Sequence, residues 1–503
     1  GSNDYNVAVG MSAMTKVSGG AGGVAVGYQS GYHPTGNYNT WVGYNAGFGA
    51  AAAGAYSNVG IGKDAMMNVT SANMNVAAGV QAFQQVTTAI RGVAIGFQAG
   101  SNVTTGDYNV LVGAYAGQLF GTHASNIAIG AFAGQNSTAD NSTFIGQNVG
   151  YYLEGDHNIG IGRQPLQGVA NSTAAKNIGM GYKALYQADT GADENVAIGY
   201  QSMMDVTTGT LNVAIGAYAA TGNTTGQENV AIGHSALQEN QEGDHIVAIG
   251  RYAAYNTNPT AGTGDSVVIG TTAGYSNTTG VQNTFIGHRA GYSNTTSNQQ
   301  VFVGREAGFN NTTGSANVFV GARSGYNNVS GSLNTALGYQ ALQDNNASSN
   351  VGIGHQAGQN VTTGGYSVYI GDNAGRTITD AGSNVMIGYQ AGYPLGSSAS
   401  SNVIVGSNAA VAATASTNNS ILIGHEAGYS TGGQQIAIGK RALYFPEGNY
   451  NTAIGQEAMY GNTSTTTAQE NVSIGRQSLN SATSAEKNVA IGNYAAKDWT
   501  TAS

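Results

Sequence analysis

Short apolar triplets alternate with longer polar stretches along this chain, and the alternation keeps one character throughout. The apolar phrase reads Asn-(Val/Ile)-Ala-Ile-Gly at 126–130, 195–199, 212–216, 229–233 and 488–492. Indexed by its closing glycine, the phrase recurs 29 times from Gly10 to Gly492, and 15 of the 28 intervals are 17 residues long. A fixed period of this size marks a repeat architecture in which each copy is one unit of a stack. One position before the anchor glycine stands Ile, Val, Leu or Met in every copy except Ala78, and two positions earlier stands Val, Ile or Thr. Side chains two apart share a face of a strand, and β-branched residues pack well there, so this pair is expected to form the interior of a coil.

Three positions after the anchor comes Ala or Ser in 27 of 29 copies, the exceptions being Val149 and Pro165. A second stretch is therefore expected to return across a thin core that admits only a small side chain. The anchor glycine is the expected corner, where a positive φ or a close backbone approach excludes a Cβ. Seventeen residues circle such a core once, as two short strands and two turns. The fold class predicted is an all-β parallel β-solenoid, a β-roll of about 29 coils with a period near 17, running as one array over residues 1–503 with no internal boundary. At about 4.8 Å per coil it would be a rod on the order of 140 Å long. Asn stands four positions before the anchor in 20 copies, which predicts an Asn ladder with each amide bonding the next.

The position between the two expected core residues should face the other side of the strand, yet it is also apolar. Ala fills it in 13 copies and Gly in four; larger residues include Trp41, Leu111, Phe144, Val268, Phe285, Phe302, Phe319, Tyr369, Met386, Ile404 and Leu422. An apolar stripe of that length exceeds what a monomer leaves in water, so these residues are the predicted interface of a parallel homo-oligomer.

Composition narrows the function classes. Charged residues are 8% of the chain, against roughly 25% in ordinary soluble domains. The net charge of −9 is spread thinly and no Lys/Arg run occurs, which argues against nucleic acid as a partner. No run of 18 apolar residues occurs, so no insertion into a membrane is expected. The absence of cysteine removes disulfides and thiolate metal sites, and fits an exported protein.

The repeated phrase, with its small residue three positions on, resembles the head repeats of trimeric autotransporter adhesins (YadA-like, haemagglutinin-type), over essentially the whole chain. Longer Tyr-rich coils such as 270–280 also look like repeats of phage tail fibres and predator-bacterium fibres. The resemblance implies a left-handed β-roll, a parallel homotrimer, an extracellular place on a bacterial surface or a virion appendage, and a structural or adhesive fibre segment giving reach and multivalent display. The period here is longer than in the adhesin heads, so their ligands do not transfer. The alternative is a monomeric ligand-binding solenoid that takes polysaccharide or ice.

Candidate chemistry is sparse. Glycine phrases such as 352–358 repeat in coil after coil and are repeat glycines, not phosphate-binding loops. His234, His288, His355 and His425 follow the anchor three or four coils apart, roughly 14–19 Å, too far to share a metal. The turn 154–157, Glu-Gly-Asp-His, recurs at 242–245 and reads as turn chemistry. No catalytic residue, cofactor or metal site is assigned. Thr-Thr pairs such as Thr278-Thr279 read as turns, and the Asn-x-Ser/Thr sequons there carry glycan only in a eukaryotic source. Tyr275, Tyr292, Tyr326, Tyr393 and Tyr429 recur five residues after the anchor and are the candidate contacts for a cell-surface glycan or host protein; their other role is packing on the next coil. Longer outer turns at 251–266 and 456–471 are further candidate contact regions.

Overall fold

A computed structural model describes residues 5–17, 19–33, 36–49, 54–397, 399–412, 417–429, 433–445, 448–461, 468–481 and 486–498. Among them lie 29 strands and no helix, from β1 (Val7–Val9) to β29 (Val489–Ile491), one strand per repeat and most only three residues long. The contacts group into two compact units, Gly1–Arg251 with Thr260–Thr263, and Tyr252–Pro259 with Gly264–Ser503. The first holds β1 to β15 (Asp244–Ile249); the second holds β16 (Gly264–Ile269) to β29.

Within each unit every strand pairs in parallel with the strand of the next repeat, in strict register. Val213, Ala214 and Ile215 lie against Val230, Ala231 and Ile232, and Phe285 lies against Phe302. One repeat is thus one coil of a parallel β-solenoid.

Each coil contains one strand where two were expected. The run after the anchor is a chain of turns with left-handed residues at the second and fourth positions, as at Asp64 (φ 59°) and Met66 (φ 48°). Its amides still bond from coil to coil: Asp64 N–H reaches Tyr44 O at 2.8 Å and Met66 N–H reaches Ala82 O at 3.0 Å. The backbone is satisfied without a second sheet, because the amides of the left-handed residues bond to adjacent coils while the residue between them bonds within its own turn, Ala65 N–H to Gly62 O at 3.4 Å.

The anchor glycine does mark the corner. Its φ lies far from what an L side chain adopts, for instance +135° at Gly216, and a Cβ there would sit 2.6 Å from the carbonyl oxygen of Gly233, the next anchor. Stacked glycines let the backbones touch.

The inside and outside of the strand are the reverse of the expectation. The middle residue of the triplet points into the coil and its two β-branched neighbours point out. Trp41, Leu111, Phe144, Val268, Phe285, Phe302, Phe319, Tyr369, Met386, Ile404 and Leu422 are all at most 1% exposed within the single chain. They are core residues and cannot form an oligomer interface. The reason is volume: the coil is so thin that a three-residue strand fits one side chain inside, against the small residue three positions past the anchor.

The same narrowness couples two positions that are distant in the triplet pattern. Where the middle residue is large, the fourth residue after the anchor is usually glycine, as with Phe285 and Gly291, where a Cβ would come within 2.8 Å of the ring. Where the middle residue is Ala or Gly, the fourth is often large: Gly60 with Met66, Ala77 with Phe83, Ala336 with Leu342. Both walls contribute to one fixed thickness, so a large side chain enters from one wall or the other.

Polar ladders close the coil ends. The Asn four before the anchor is buried, but its amide does not simply bond the next amide. The Asn195 oxygen accepts the backbone N–H of Asn212 at 3.0 Å, and the Asn195 Nδ2 donates to Gly209 O, three residues before that next rung, at 2.8 Å. Ser142, Ser266, Ser367 and Ser420 occupy the same rung and accept the next amide through the hydroxyl.

Candidate functional site

The outward face of the strands is a continuous feature, within each unit, that a partner could use. The residues at either side of each buried middle position form two parallel columns of Val, Ile and Thr. Ile198 is 37% exposed, and Ile215 and Ile286 are covered to about the same degree, because neighbours above and below take the rest. In-register pairing places Ile198, Ile215 and Ile232 directly over one another, and the same holds for Thr284, Val301 and Val318 in the second unit. No charge interrupts either column within a unit, since every strand contributes an apolar residue or Thr at both positions.

The tyrosines proposed as glycan contacts lie elsewhere, on the return run. Tyr255, Tyr275, Tyr292, Phe309 and Tyr326 stack face to face in one column, with centroids 5.0–5.3 Å apart and planes within 10°. Tyr429 stacks on Tyr444, which stacks on Tyr460. Burial first, and the nearby Glu426 carboxylate second, push the Tyr444 hydroxyl above its usual range. Tyr393 instead lies 5.8 Å from the Arg376 guanidinium. Ring faces inside these columns are covered by the adjacent rings, leaving edges and hydroxyls to the solvent.

Side chains with apparent catalytic chemistry are spent on the stack. In the two Glu-Gly-Asp-His turns, Asp156 accepts the Asp140 N–H at 2.8 Å, and Asp244 accepts the amides of Gln227 at 2.6 Å and Gly262 at 2.7 Å. His355 pairs with Asp372 at 3.0 Å across one coil and stacks on Tyr339. Among the described residues no group of three or more His, Asp or Glu is placed to hold a metal ion, and no helix is long and apolar enough to cross a membrane.

The Thr-Thr turns also serve the stack: the first hydroxyl donates to the next coil, Thr278 to Thr295 O and Thr295 to Thr312 O, both at 3.0 Å. The sequon asparagines beside them form a second buried ladder that the sequence reading missed. Asn294 donates to Asn277 at 2.9 Å, Asn311 to Asn294 at 3.2 Å and Asn328 to Asn311 at 2.8 Å. All four are at most 1% exposed, so in the folded coil they present no site for a glycan. Their recurrence seven residues after consecutive anchors was the signal. Of the longer outer turns, 251–266 is described in full, while 462–467 of the other lies outside the described residues.

Neither the scan against protein-family models nor the search of curated proteins returns a match to this chain.

Proposed function

We propose that the chain is a structural and adhesive fibre segment that assembles as a parallel homotrimer through the outward Val/Ile columns, giving reach and multivalent display outside the cell. The observation that carries this reading is the continuity of those columns. Fully burying a Val or Ile side chain is worth roughly 1.5–3 kcal/mol, so covering the exposed third of two per coil yields about 1–2 kcal/mol. Over the fifteen coils of the first unit the gross gain is on the order of 15–30 kcal/mol, against an association cost of about 4–15 kcal/mol. A partner repeating at the same coil spacing matches such a surface along its whole length, and a further copy of this chain has that spacing by construction. The number three follows from the resemblance to trimeric adhesin heads.

Light scattering tests it. One chain weighs 50.8 kDa, so a trimer weighs three times that. Replacing Ile198, Ile215 and Ile232 together by Glu should dissociate the assembly while leaving the circular dichroism of the coils intact. A wild-type mass of one chain would refute self-association and favour the monomeric ligand-binding solenoid.

A further inference from the structure

One place in the first unit departs from the repeat on several counts at once. The two coils anchored at Gly146 and Gly162 carry Val149 and Pro165 where the others have Ala or Ser. Their strands, β9 (Thr143–Gln147) and β10 (Ile159–Arg163), run five residues, through the anchor glycine and beyond. Beside them opens a cleft of about 310 Å³ lined by Phe132, Asn148, Tyr151, Tyr152 and Gln167.

The walls follow from what occupies neighbouring rungs. Five residues past the anchor stand stacked amides, Gln135 bonded to Gln118 at 2.8 Å, while Gln118 reaches Gln98, two past its own anchor, at 3.1 Å. Tyr151 takes the next rung and Gln167 the one after, so the column is cut. The Oε1 atoms of Gln135 and Gln167, on either side of the ring, are both buried without a hydrogen-bond partner. One position further along, Tyr152 is 37% exposed and meets Tyr151 edge-on at 4.6 Å, and the corresponding residue of the next coil, Gly168, brings no side chain over it. Unlike the stacked column around Tyr292, Tyr152 has no aromatic ring lying flat against it among the described residues. Asn148 holds a left-handed backbone (φ 54°), which fixes where its amide leaves the coil.

We propose that this cleft binds a neutral pyranose, one sugar of a neutral glycan. An exposed aromatic ring offers the apolar patch that the C–H face of a sugar packs on, and Asn148 and Gln167 supply both donor and acceptor for ring hydroxyls. A small rotation of the Gln167 amide gives its unpartnered oxygen a hydroxyl donor, relieving a cost that the free protein carries. No charged side chain lines the cleft, so an acidic sugar gains nothing there. One shallow contact binds weakly, and repetition on several chains raises the avidity. The site deepens the adhesive half of the proposed function; only its avidity rests on oligomerisation.

The test is titration of the full chain with lactose, maltotriose, cellotriose and chitotriose, followed by nuclear magnetic resonance, with sialyllactose as the acidic comparison. At least one neutral saccharide should bind, and Tyr152→Ala and Gln167→Ala should each weaken it about tenfold, the loss of one good ring or hydrogen-bond contact. Tyr275→Ala, in the stacked column, should leave the affinity unchanged. Circular dichroism and the scattering mass of each variant establish that coil and assembly are intact. Absence of binding by all four saccharides, or binding unaltered in both cleft variants, overturns the proposal. A monomeric mass with cleft binding retained would refute the fibre reading alone.

Discussion

Replacing Asn212 by Ala isolates what one rung of the buried ladder contributes. Its Oδ1 accepts the Asn229 N–H at 2.9 Å, and its Nδ2 donates to Gly226 O at 2.8 Å and to Asn195 Oδ1 at 3.1 Å, all with the residue 1% exposed. Alanine leaves the Asn229 amide buried with no acceptor, while Gly226 O keeps its bond from Asn223 at 3.1 Å. One orphaned donor and two lost bonds amount to about 2–6 kcal/mol, of which the donor alone is about 1–3 kcal/mol. Site-resolved hydrogen exchange reads this locally, which matters because a long repeat array need not unfold as one cooperative unit. Protection of the Asn229 amide should fall roughly five- to 150-fold in Asn212→Ala, the range equivalent to that donor cost. Asn212→Ser should retain most of it, because Ser142 natively accepts the Asn158 amide at 3.1 Å. Equal protection at Asn229 in the wild type and the alanine variant would refute the account, since the bond would then not be what holds that amide.

Other expectations concern the core and its ionisable groups. Gly291→Ala forces a Cβ to within 2.8 Å of the Phe285 ring at φ +59°, costing about 1–2 kcal/mol for the left-handed backbone and roughly 1–3 kcal/mol for overpacking. In the double variant with Phe285→Ala the overpacking part should vanish, so additive losses in urea denaturation would contradict a shared core thickness. The Tyr369 hydroxyl is buried without a partner, and burial pushes its pKa to about 12; Ser367 and Asn384 pull the other way but do not reach bonding geometry. The neutral phenol is thus favoured in the fold, and stability should decline as pH rises above 10, the range in which an unfolded tyrosine already ionises. In Tyr369→Phe that alkaline decline should shrink in thermal melts. Glu306 is held below the usual carboxylate range by its bond to Arg323, 2.9 Å away, and by Arg305. Its contribution is present at neutral pH and lost as pH falls through its lowered pKa, so Glu306→Gln should flatten acid sensitivity below pH 4.5.

The candidate surfaces were legible to unequal degrees. The Val/Ile columns stood in the sequence as plainly as the middle positions did, and were assigned to the wrong side because a period of two states only that the two sets oppose each other. The covariation of the fourth residue after the anchor with the middle one, glycine beside Phe302 and leucine beside Ala336, carried the missing information. The cleft beside Tyr152 was foreshadowed by Val149 and Pro165, which broke the small-residue rule in adjacent coils.

By itself the sequence determined the repeat, its period, the parallel in-register strand in each copy, the glycine corner and an Asn rung, because each is a local backbone or hydrogen-bonding demand repeated at fixed spacing. Which side of a three-residue strand is dry, what replaces the second strand and where a groove opens were decided only by tertiary structure. Those depend on the distance between the two walls of a coil and on which side chains adjacent coils bring over one another, and neither quantity is written in any single repeat.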